Sequence, residues 1–117
     1  MPKDDLVRLQ HMLDAARESL SFAKDKNRND LYSDRMLALS IIKSIEIVGE
    51  AASTVTKEFR EKYNEIPWAG IVAMRNRLIH VYFDIDLDRV WDTVTDDLPP
   101  LITALEKVIL QERGKKG

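Results

Sequence analysis

Apolar residues recur along this chain at spacings of three and four. Leu6, Leu9, Leu13, Ala16, Leu20 and Ala23 mark one face of a first helix ending near Lys24, with Asp4 or Asp5 placed to cap it. Lys26 to Asp30 (K-N-R-N-D) reads as a polar loop. Ser33 or Asp34 can cap a second helix, whose buried face is Leu37, Ile41, Ile45, Val48, Ala52, Val55 and Phe59, running to about Lys62. Ile42, Ile47 and Gly49 lie off that stripe, so this helix is expected to touch more than one neighbour. Gly49 costs a helix interior about 1 kcal/mol relative to Ala, and close helix approach is the reason to keep it. Tyr63 to Ile66 is a short connection, and Pro67 suits the first turn of a third helix ending near Tyr82. Asp86 can cap a fourth, with Val90, Trp91, Val94, Leu98, Leu101, Ile102, Leu105, Val108 and Ile109 apolar. The phase does not reset at Pro99-Pro100, which predicts a kink between two nearly collinear segments.

No segment alternates with the period of a strand. The expected class is therefore all-α: an antiparallel, up-and-down bundle of four long helices, the last kinked. At 117 residues it is one domain, 1–112, followed by a basic tail, 113–117, expected to be mobile. The absence of cysteine excludes disulfides and thiolate metal sites and suits a reducing cytoplasm. His11 lies off the apolar stripe and reads as a surface residue; it forms no metal-ligand spacing with His80, so no metal is expected. No apolar run approaches a membrane span, and no signal-peptide core is recognisable at the N-terminus. The net charge of −2 gives no general electrostatic case for nucleic acid, so any RNA affinity must come from a local patch such as Arg75 and Arg77, with Lys43 or the tail nearby.

Polar chemistry is concentrated on the third helix. Trp68, Ile71, Val72, Ile79, Tyr82 and Phe83 form its apolar stripe, yet Arg75 falls near the middle of it, with Asn76 and His80 on its flank. A guanidinium cannot shed its proton, so on a buried face it needs partners. Two readings follow. In one, Arg75 belongs to a buried ionic network with Glu50 or Glu46, which sit one turn apart on the second helix. In the other, the cluster binds a phosphodiester: Arg grips phosphate oxygens with its planar fork, and His moves protons near neutral pH. Metal-free RNA cleavage through the ribose 2′-OH is the natural reaction of such a set. One histidine per chain, with acid and base needed on opposite sides of the phosphate, favours a two-fold dimer whose third helices line one cleft.

The segment Arg75-Asn76-Arg77-Leu78-Ile79-His80 matches the R-x4-H motif of HEPN domains, and Tyr82 extends it to R-x4-H-x-Y. With Ile47-Val48-Gly49-Glu50-Ala51-Ala52, Ile66-Pro67-Trp68 and Asp97-Leu98-Pro99 in the same order, the chain resembles the HepT toxins of HepT/MntA toxin–antitoxin systems over most of its length. That resemblance implies a homodimeric, metal-independent endoribonuclease of type VII systems, needing no cofactor. It assigns catalysis to Arg75 and His80 in a composite dimer site, with Asn76 orienting or contacting the phosphate and Arg77 beside it. It further implies a minimal nucleotidyltransferase antitoxin, MntA-like, that blocks the site by transferring AMP to Tyr82. Glu50 is expected behind Arg75 as its partner. The alternative is a non-catalytic, nucleotide-binding helical partner subunit of a nucleotidyltransferase.

Overall fold

The computed structural model describes residues 3–80 and 86–114, with the side chains of 3 and 77–80 excepted. All the described regular structure is helical: α1 (Lys3–Ala23), α2 (Arg28–Ser33), α3 (Arg35–Ser53), α4 (Lys57–Lys62), α5 (Trp68–His80), α6 (Leu87–Asp92), a π turn (Thr93–Asp97) and α7 (Leu98–Gly114). The fold is an all-α bundle. α3 packs against both α1 and α5, as its apolar positions on two sides require, and α7 lies along α1. The shared core contains Leu9, Met12 and Ala16 of α1, Ile41, Ile45 and Val48 of α3, and Leu98, Leu105 and Val108 of α7. Arg17 pairs with Glu106, and Arg113 donates to Gln10 at 3.2 Å, tying the outer edges of α1 and α7.

The expected second helix is divided. α3 stops at Ser53, and Thr56 starts α4 by accepting the Phe59 N–H through its hydroxyl. The cause is long-range. Asp5, expected as a possible cap for α1, is instead 1% exposed and accepts both the backbone N–H (2.9 Å) and the hydroxyl (2.6 Å) of Thr56. The break lets Val55 and Phe59 remain buried while the chain turns toward α5. The expected polar loop also holds order: Asp25, at φ 62°, ends α1, and Asn27 and Asp30 form a reciprocal capping box that starts α2. Asp34 caps α3, Asp86 caps α6, and the Pro67 carbonyl accepts the Ile71 N–H at the start of α5, close to expectation.

The interruption in the last helix lies ahead of the prolines rather than at them. Leu98 N–H donates to Thr93 O, a five-residue step that opens the helix into a π turn. Pro99 and Pro100 supply no N–H to the carbonyls of Thr95 and Asp96, and the widened turn is where the helix absorbs that loss. The apolar phase continues through it, with Val94, Leu98 and Leu101 all buried. The C-terminal helix runs through Arg113 to Gly114, and residues 115–117 of the expected tail lie outside the described ones. Among the described residues no helix is long and apolar enough to cross a membrane.

Candidate active site

The start of α5 is pinned. Trp68 is buried, stacks edge-on to Phe59 with ring centroids 6.4 Å apart, and donates its indole N–H to the Tyr63 carbonyl at 3.1 Å. Ile71 is buried one turn later. From this anchor α5 runs back along α3, bringing Arg75 over Gly49. Arg75 and Asn76 are both half-buried. The Arg75 guanidinium donates through Nε (3.2 Å) and Nη2 (2.9 Å) to the side-chain oxygen of Asn76. Among the described residues Nη1 meets no acceptor, and no carboxylate lies within ion-pair distance of Arg75.

The anticipated Glu50–Arg75 contact is therefore not formed. Gly49 is the residue of α3 facing Arg75, so Glu50, about 100° further round the helix, points outward and is exposed. Glu46 is half-buried and pairs with no cation among the described residues. The half-buried guanidinium is thus held by a neutral amide, which orients its charge without cancelling it. That state can accept an anionic oxygen, where a salt-bridged arginine would first have to give one up. The side chains of Arg77 and His80 and the whole of Tyr82 lie outside the described residues; the backbone of 77–80 continues α5. Asn76 accepts from the Arg75 guanidinium, and Gly49 is the close neighbour of Arg75 that the sequence marked only as a helix contact.

The remaining surface adds contrast. A cavity of about 730 Å³ opens between α5 and the α6–π turn–α7 segment, and Arg75 does not line it. Among the described residues Glu65, Asp86, Asp88, Asp92 and Asp97 border it with Arg89, a lining that stays acidic on balance even with Arg28 paired to Asp88 and Asp92 and so disfavours phosphate. Arg28 joins Asp88 (3.3 Å) and Asp92 (2.7 Å), and these contacts raise its already high pKa, while Asp88 raises that of Tyr32. Among the described residues no three His, Cys, Asp or Glu side chains converge as a metal would require.

A family model described as ribonuclease HepT-like matches residues 12–108. The chain belongs to the HepT-like ribonuclease family. A Methanocaldococcus jannaschii protein named "Gamma-glutamylcyclotransferase and putative RNase" is 38% identical over 93% of this chain, which spans 49% of that relative's length. A "Putative RNase" of the same organism is 36% identical over 86% of this chain and 92% of its own. The "Probable ribonuclease HepT" of Thermococcus cleftensis is 32% identical over 86% of this chain and 91% of its own. No solved structure matches the chain at a significant level. The family supports the HepT-like resemblance drawn from the motif, and the matched span includes Arg75 to His80.

Proposed function

We propose that this chain is the toxin of a type VII toxin–antitoxin pair: a metal-independent endoribonuclease, active in the cytoplasm as a homodimer, and silenced by AMP transfer to Tyr82. The observation that carries this reading is Arg75, half-buried, held by Asn76 and free of any carboxylate partner among the described residues. In the reaction, His80 removes the ribose 2′-OH proton. The 2′-oxygen attacks the adjacent phosphorus, Arg75 stabilises the negative charge of the phosphorane-like transition state, and the 5′-oxygen–phosphorus bond breaks. The equivalent histidine of the second copy protonates the leaving 5′-oxygen, leaving a 2′,3′-cyclic phosphate and a 5′-hydroxyl. Arg77 adds positive charge for the flanking phosphates. Support for a dimer comes from α3, where Met36 is 76% and Leu39 48% exposed, an apolar strip that a second copy can cover.

Silencing follows from the same electrostatics. The Tyr82 phenol attacks the α-phosphorus of ATP held by a cognate MntA-like nucleotidyltransferase. A Tyr–O–P bond forms, pyrophosphate leaves, and the phenol proton passes to a base of that enzyme. The added AMP brings negative charge into a cleft built for phosphate and excludes RNA.

The test is cleavage of single-stranded RNA with metals chelated, comparing wild type with His80→Ala and Arg75→Ala. Cyclic-phosphate ends from wild type, lost in both variants, are expected, and undiminished cutting by folded His80→Ala refutes the mechanism. Cleavage should also fall steeply with added salt, because the substrate contacts are phosphate contacts. Intact mass after co-expression with the nucleotidyltransferase tests the second arm: gain of AMP units, absent in Tyr82→Phe, is expected. No gain while the transferase is active removes the modification from the proposal.

A further inference from the structure

We propose that Gly49 is a positioning residue for Arg75, acting through the α3–α5 contact; its catalytic consequence rests on the ribonuclease reading of the site. No described glycine has a positive φ, so Gly49 is not needed for its backbone conformation. What it supplies is the absence of a Cβ. A Cβ built there would stand 2.2 Å from Arg75 Cβ, 2.9 Å from Cγ and 3.1 Å from Cδ. The other described glycines make no such demand: at Gly70 the nearest atom is Pro67 Cβ at 3.9 Å, and at Gly114 nothing lies within 4 Å.

The order of those distances matters. The worst conflict is with Cβ, which is fixed to the backbone of α5, so no change of the Arg75 rotamer relieves it. Restoring ordinary carbon–carbon contact of about 3.5 Å from 2.2 Å requires the two helices to part by roughly 1.3 Å at this point. Gly49 therefore sets how deep α5 seats on α3. The same contact lays the aliphatic stem of Arg75 across the groove at Gly49, which delivers the guanidinium to Asn76. The stem is set by Gly49 and the head by Asn76, and both restraints are needed to aim Nη1. Displacements of this size at a reacting centre cost on the order of 10²-fold in rate.

The experiment compares Gly49→Ala with Leu105→Ala, a cavity variant on α7, at a temperature where both are folded. Two readouts are taken: kcat and KM for RNA cleavage, and hydrogen exchange of the Arg75 Nε–H by NMR, its signal assigned through loss in Arg75→Lys. Gly49→Ala should lower kcat about 10²-fold and speed Nε–H exchange, while Leu105→Ala moves neither. Wild-type kcat, or wild-type exchange, in Gly49→Ala overturns the proposal. If wild type cuts no RNA but exchange still accelerates in Gly49→Ala, the ribonuclease reading falls and the positioning of Arg75 stands. Should Gly49→Ala fail to fold, Gly49→Ala with Arg75→Gly removes the second Cβ and must fold as well as Arg75→Gly alone. A double variant that stays unfolded refutes the Cβ–Cβ contact as the cause.

Discussion

Replacing Arg75 by Ala separates a structural arginine from one kept for binding. The substitution retains Cβ, so the backbone approach to Gly49 survives; what is lost is the stem beyond it and the two hydrogen bonds to Asn76. Two half-buried methylenes contribute about 0.8 kcal/mol together. The hydrogen bonds, between half-buried neighbours that water can reach, contribute about 1 kcal/mol net. Alanine returns roughly a few tenths through its helix propensity. The expected loss is about 1.5 kcal/mol, or a fall in Tm of roughly 5 °C for a domain of this size. A buried ion pair broken on one side would instead cost about 3–5 kcal/mol, because a carboxylate would be stranded. Urea denaturation followed by far-UV circular dichroism, at one protein concentration, measures the difference. Cleavage by the folded variant should fall about 10²–10³-fold, the usual consequence of removing one donor to a transition-state oxyanion. A stability loss of about 3 kcal/mol or more would refute the reasoning, since it would require a buried anionic partner for Arg75.

Two further predictions concern the scaffold. Asp5→Ala strands the Thr56 N–H and loosens the cap of α4; it should cost about 1.5–3 kcal/mol in urea denaturation yet leave kcat unchanged where the variant is folded. Tyr63 donates to Glu112, which Lys62 also contacts at 2.9 Å; burial first, and then that carboxylate, raise its phenol pKa. Because the folded pKa exceeds the unfolded value of about 10, the tyrosine's contribution is complete below that pH and is lost as pH rises through the folded pKa. The stability gap between wild type and Tyr63→Phe should therefore shrink above about pH 10, and a gap constant from pH 8 to 11 would show that the phenol is not held un-ionised by the fold.

Local pattern determined much of this protein. Periodicity alone marked Leu9 and Leu13, Ile41 to Val48, and Leu98 to Ile109 as buried faces, because apolar spacing of three and four has one stable solution, a helix against a core. Asp34, one of two candidates with Ser33, and Asp86 were legible as caps because a cap acts within one turn of its own residue. The motif from Arg75 to His80, with the family it belongs to, was legible for the same reason: its spacing is carried by one helix.

Only the tertiary structure decided what depended on residues far apart. The second helix breaks at Thr56 because Asp5, fifty-one positions earlier, takes its donors, and no window around Thr56 contains that fact. Glu50, on the second helix beside the small Gly49 and Ala51, was the expected partner for Arg75. The rotational setting of α3 against α5 instead presents Gly49 and turns Glu50 to solvent. A sequence lists which charges a helix carries. How two helices are rotated and how closely they seat is a packing outcome of the whole core, and here, among the described residues, it leaves Arg75 held by an amide rather than by a carboxylate.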